Sequence, residues 1–136
     1  MSAMEKIREV LFIDDDEINN FILKEIFESQ YNLKVNFFTE AARALEYIDE
    51  LVQERSDKLP DIIFLDIKMP EMDGFDFMDA FQGKEYSRDF STPIFMLTSS
   101  VNHRDISRAG TYKNIKELIT KPLTFDKLED LAERYF

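Results

Sequence analysis

The sequence predicts an α/β protein: five strands in a parallel sheet, sandwiched between layers of helices. Short apolar runs of strand length alternate with amphipathic stretches along the whole chain. Three runs, Val10-Leu11-Phe12-Ile13, Ile62-Ile63-Phe64-Leu65 and Ile94-Phe95-Met96-Leu97, are apolar without a break, as strands covered on both faces are. The 3 glycines and 4 prolines stand at punctuation points rather than in a linker.

Each element follows from its local pattern. After the first run, Ile18, Phe21, Ile22 and Ile26 recur at helical spacing. Leu33, Val35 and Phe37 alternate with polar residues, which suits a strand nearer a sheet edge. Thr39 is the expected N-cap of a helix carrying Ala41, Ala44, Leu45, Ile48, Leu51 and Val52. The second run is followed by Asp73-Gly74, a turn into a helix with Phe77, Met78 and Phe81. Pro93 leads into the third run, and Ser100 is the expected cap of a short helix ending near Gly110. Ile115 to Ile119 reads as the last strand, and Phe125, Leu128, Leu131, Ala132 and Tyr135 line a final helix. The six methionines read as core filler.

At 136 residues and 44% hydrophobic content the chain fits one domain with one core, expected to span residues 1–136. The absence of cysteine excludes disulfides and thiolate metal sites. A net charge of −11 with no Lys/Arg cluster argues against binding nucleic acid. No apolar run approaches the ~20 residues that cross a bilayer, and Met1 to Glu9 has no signal-peptide core. The expected location is the cytoplasm, away from membranes.

Open parallel sheets place their sites at the carboxyl ends of strands. Here those ends carry Asp14-Asp15-Asp16, Asp66, Thr98 and Lys121. Carboxylates crowded on one rim either raise a pKa or bind a cation. An all-oxygen set selects a hard ion, and one or two carboxylates with waters and a phosphate suit Mg2+. An EF-hand loop fails, because Ile18 falls where a third ligand should be. Asp16 reads as a helix cap. His103, the one histidine, sits among polar residues and reads as a solvated helix start.

Ile13-Asp14-Asp15-Asp16, Asp66-Ile67-Lys68-Met69-Pro70 with Asp73-Gly74, Thr98-Ser99-Ser100 and Lys121-Pro122 together resemble the signature of CheY-like response regulator receiver domains, from about Glu9 to the C-terminus. The resemblance implies a flavodoxin-like, doubly wound five-stranded sheet of order 2-1-3-4-5 with five helices. It implies that Asp66 accepts a phosphoryl group from a phosphohistidine on a sensor histidine kinase or histidine phosphotransfer protein. Asp15, Asp14, Asp66 and the backbone carbonyl of Lys68 would hold Mg2+. Thr98 and Lys121 would contact the phosphoryl oxygens, and Lys121-Pro122 would be cis. It further implies a switch rather than a turnover enzyme, acting on a downstream protein that the sequence does not identify, with no output domain after the last helix.

Two positions depart from the family pattern. Leu118 stands three residues before the lysine, where receivers usually carry the Tyr or Phe of the switch. Lys68 puts a cation two residues after the acceptor, at a position that borders the phosphoryl group in receivers. Two other readings compete. Asp14-x-Asp16 resembles the nucleophile motif of haloacid-dehalogenase-type phosphatases, but such enzymes need another acidic strand end after the lysine. A receiver fold kept only as a binding module would have lost its acceptor, acids or lysine, and none is lost.

Overall fold

Hydrophobic strands that alternate with helices must cross over, and the crossovers set a parallel sheet between two helical layers. The computed structural model describes residues 2–54, 57 and 59–136. Its strands are β1 (Glu9–Ile13), β2 (Lys34–Phe38), β3 (Ile62–Asp66), β4 (Ile94–Thr98) and β5 (Ile115–Thr120). All neighbours pair in parallel, in the order β2-β1-β3-β4-β5. The helices are α1 (Glu17–Gln30), α2 (Ala41–Gln53), α3 (Gly74–Gln82), α4 (His103–Ala109) and α5 (Phe125–Tyr135).

Strand alternation sends side chains to two cores. Leu11, Ile13, Ile63, Leu65, Ile94 and Met96 pack under α2, α3 and α4. Val10, Phe12, Ile62, Phe64, Phe95 and Leu97 pack under α1 and α5. β1, β3 and β4 are central and almost wholly buried, whereas β2 lies at an edge, as its alternating pattern suggested. A register shift between β4 and β5 pairs Ile94 with Ile115 but Phe95 with Glu117. Beyond this bulge Leu118 packs against the α2–α4 core and Ile119 joins the α1–α5 core.

Two expected caps need correction, and the helical spacing of Ile18, Phe21, Ile22 and Ile26 holds. These four lie on α1 and face outward, from 75% exposed at Ile18 to 42% at Ile26. The buried stripe of α1 is Asn20, Leu23 and Phe27. Thr39 does not cap α2: Glu40 is the N-cap, without a side-chain bond. Ser100 does not cap α4: the Asn102 side chain does, accepting from the Asp105 amide at 2.9 Å. Asp73 opens α3 with a reciprocal capping box to Asp76.

Candidate functional site

The carboxyl ends of β1, β3, β4 and β5 meet on one rim. Asp14 follows β1, and its N–H still donates to Phe38 O at 3.0 Å, so the ladder carries its backbone one residue past the strand. Asp66 closes β3 opposite Leu97, and Thr98 closes β4 opposite Thr120. Lys121 follows β5 and is tied to β4 by its N–H, which donates to Thr98 O at 2.7 Å. Asp14, Asp66 and Thr98 are buried, while Asp15 is exposed.

Lys121 Nζ lies 3.0 Å from Asp14 Oδ2 and 3.2 Å from Asp66 Oδ1. Carboxylate oxygens of Asp14, Asp15 and Asp66 come within 4.8 Å of one another. One ammonium faces three acids, so the rim is short of positive charge. Burial, then the charge of Asp14, push Asp66 up from 3.8 to about 6 against the pull of Lys121. Burial draws the Lys121 ammonium down, but its hydrogen bond to Asp14 and the charges of Asp14 and Asp66 outweigh it and leave its pKa raised. The donor set fits a hard divalent cation: three carboxylates, oxygen only, with Asp15 open to water.

The structure thus brings Asp14, Asp15, Asp66 and Lys121 together. Thr98 stands on the same rim with its hydroxyl turned away, donating to Ser100 O at 2.9 Å and accepting from Ser100 N at 3.2 Å. Lys68 lies on the loop after β3 with its side chain exposed. The Lys121–Pro122 peptide is cis. Leu118 is half-buried and lines a groove of about 210 Å3 with Ile106, Ala109, Gly110 and Ile115. Asp16 caps α1, accepting from Asn19 N at 3.0 Å. His103 begins α4, exposed.

One residue beside the rim escaped the sequence reading, and another was read only as part of a turn. A Cβ on Gly74 would lie 2.5 Å from the Asp66 carbonyl oxygen and 3.1 Å from Ile67 Cα, so only glycine lets α3 begin this close to the end of β3. Asp73-Gly74 signalled a turn but not that close approach. Asn20 is buried and donates to Asp14 O at 2.7 Å. Its signal was a polar residue in register with Leu23 and Phe27.

Residues 10–133 match the model of the response regulator receiver domain. The chain belongs to this receiver family. It is 33% identical over 125 residues to the sensor histidine kinase CheAY of Helicobacter pylori, covering 92% of this chain but only 14% of that protein. A two component response regulator from Cytophaga hutchinsonii has a similar fold, with a TM-score of 0.82, 29% identity, and 94% and 96% of the two chains covered. The Mn(2+)-bound form of response regulator Rcp1 shares the fold at a TM-score of 0.68 and 17% identity, over 93% of this chain and 90% of its own. Receivers are phosphoacceptor switches of two-component signalling rather than turnover enzymes, and the acidic pocket with its Lys121 salt bridge is that of a receiver. No described helix is long and apolar enough to cross a membrane.

Proposed function

We propose that this receiver acts as a cytoplasmic response regulator domain that takes a phosphoryl group from a phosphohistidine onto Asp66 and passes the signal by phosphorylation-dependent contact with another protein. The observation that carries this reading is the placement of the Asp66 carboxylate: buried, beside Asp14 and Asp15, and 3.2 Å from the Lys121 ammonium. Asp14, Asp15, Asp66 and the carbonyl of Lys68 would hold Mg2+, which when bound supplies positive charge to both the acids and the incoming phosphoryl oxygens. The manganese-bound receiver of the same fold supports a divalent ion.

The chain's own residues do the rest. An Asp66 oxygen attacks phosphorus, an O–P bond forms and the P–N bond breaks. Its electron pair stays with the donor imidazole, which then takes up a proton. Lys121 is placed to follow the charge from Asp66 onto the phosphoryl oxygens. Thr98 sits at the next strand end, where its hydroxyl can turn toward the new acceptor. The exposed Ile18, Phe21, Ile22 and Ile26 run down α1 from the acidic rim. An apolar stripe left in water beside an acceptor suits docking of the phosphodonor, a sensor histidine kinase or histidine phosphotransfer protein, whose imidazole must reach Asp66.

Acetyl phosphate with Mg2+ tests the reading directly. Mass spectrometry should find one phosphoryl group on Asp66, and Asp66→Asn should abolish it. Label on any other residue of the wild type would overturn the assignment, and label on Asp14 would favour the phosphatase-like alternative.

A further inference from the structure

We infer that Asn20 is a positioning residue of the acidic site: its buried amide holds the Asp14–Asp15 peptide and so aims the Asp15 carboxylate toward Asp14 and Asp66. The inference rests on the proposed cation site and adds a residue that does not touch the cation.

Asn20 is wholly buried on the inner face of α1, in the stripe with Leu23 and Phe27. Its Nδ2 donates to Asp14 O at 2.7 Å. Its Oδ1 meets no protein donor, and it is the one buried side-chain polar atom so placed among the described residues. A buried acceptor left unmet costs about as much as a hydrogen bond returns. Leucine, of nearly the same shape, would bury more apolar surface and raise helix propensity. Leucine would also take the donor from the Asp14 carbonyl, so gain and loss oppose each other and stability alone does not single out asparagine.

What the amide secures is a direction. A peptide unit is planar, so fixing the Asp14 carbonyl also fixes the nitrogen and Cα of Asp15. The Asp14 carboxylate has other anchors, since it accepts from Asp16 N at 3.0 Å and pairs with Lys121. Asp15 is exposed, and among the described residues no hydrogen bond or ion pair holds its carboxylate. Its aim depends on the backbone that Asn20 holds. Partners one step removed from a metal's ligands commonly change its affinity by ten- to a hundredfold when lost.

The test is a Mg2+ titration of folded wild type and Asn20→Leu, followed by amide shifts of residues 14–16 and 66, beside urea unfolding of both proteins without metal. Asn20→Leu should unfold near the wild-type midpoint and bind Mg2+ roughly tenfold more weakly. Asn20→Ala, which also lacks the donor, should show the same loss and stands in if the leucine variant does not fold. Wild-type affinity in either folded variant overturns the inference, whether or not the midpoint falls. A wild type that binds no Mg2+ overturns instead the reading of the acidic cluster as a cation site.

Discussion

Thr98 Oγ1 donates to the carbonyl of Ser100 at 2.9 Å, and the Ser100 amide returns a bond to the same oxygen at 3.2 Å. The hydroxyl is therefore already engaged, and turning toward Asp66 means releasing the Ser100 carbonyl. Phosphorylation therefore offers an exchange of bonds rather than a bond gained from nothing. The exchange favours the phosphoryl group, because a hydrogen bond to an anion is roughly twice as strong as one between neutral groups. Thr98→Val keeps the shape and removes both bonds. We expect it to lower stability by about 1–2 kcal/mol in urea unfolding. Beryllofluoride with Mg2+ should then leave the amide shifts of residues 99–104 nearly unmoved. A full wild-type response in that variant would rule out Thr98 as the carrier of the change.

The Asp66 carboxyl ionises near 6 in the folded protein, because burial and Asp14 outweigh Lys121. It binds its proton more tightly folded than unfolded. Its contribution to stability is complete below pH 3.8 and lost as the pH rises through about 6. Asp66→Asn removes this titration. In metal-free buffer the variant should gain on the wild type between pH 4 and 7, by up to about 3 kcal/mol. Urea midpoints across that range check it, and a pH-independent difference would show that Asp66 ionises normally. Mg2+ should pull the wild-type ionisation back toward acid pH.

The order of elements and the residues of the rim were legible because each central strand is an apolar run that stops at a polar residue. Ile13 to Asp14, Leu65 to Asp66 and Leu97 to Thr98 are such breaks, and the parallel sheet brings the stops together. The inward face of α1 was not legible. Two stripes share that helix at helical spacing, and Asn20 makes the truly buried one look the more polar. The caps failed for a related reason. Ser100 spends its carbonyl on Thr98, and the helix begins only where Asn102 can reach the Asp105 amide. The pairing of Lys121 with both Asp14 and Asp66 depends on distances across four strands, β1, β3, β4 and β5, which no local pattern encodes.

Gly74 couples the start of α3 to the end of β3, which carries Asp66. Its N–H donates to Ile67 O at 2.9 Å, and a Cβ there would meet Asp66 O at 2.5 Å and Met96 Cε at 2.9 Å. The methionine can yield, but the carbonyl belongs to the buried end of β3. Gly74→Ala should cost about 1–3 kcal/mol and slow labelling by acetyl phosphate, because either α3 or Asp66 must shift. Gly83→Ala is the control, since its Cβ would come no closer than 3.4 Å to Ala80 O. Equal stability and labelling of the two variants would remove the steric argument.

Leu118, which we propose stands at the receivers' switch position, is half-buried against the core under α3 and α4. Leucine has no hydroxyl to exchange and presents less surface than tyrosine, so ring burial cannot report phosphorylation here. The structure gives it little reason to move. It is flanked by Glu117, held by Arg134 and Tyr135 of α5, and by Ile119 in the opposite core. The groove beside it stays open between α4 and β5. We therefore expect the response to lie in the backbone between Thr98 and Arg104, with Leu118 nearly still. Amide and methyl shifts with and without beryllofluoride and Mg2+ separate the two. Leu118→Tyr should fold with less than about 1 kcal/mol of change, because the open groove can take the ring without overpacking. Its response between Thr98 and Arg104 should match the wild type. A large rotamer change at Leu118 with a static 98–104 loop would reverse the assignment and make the leucine the moving part.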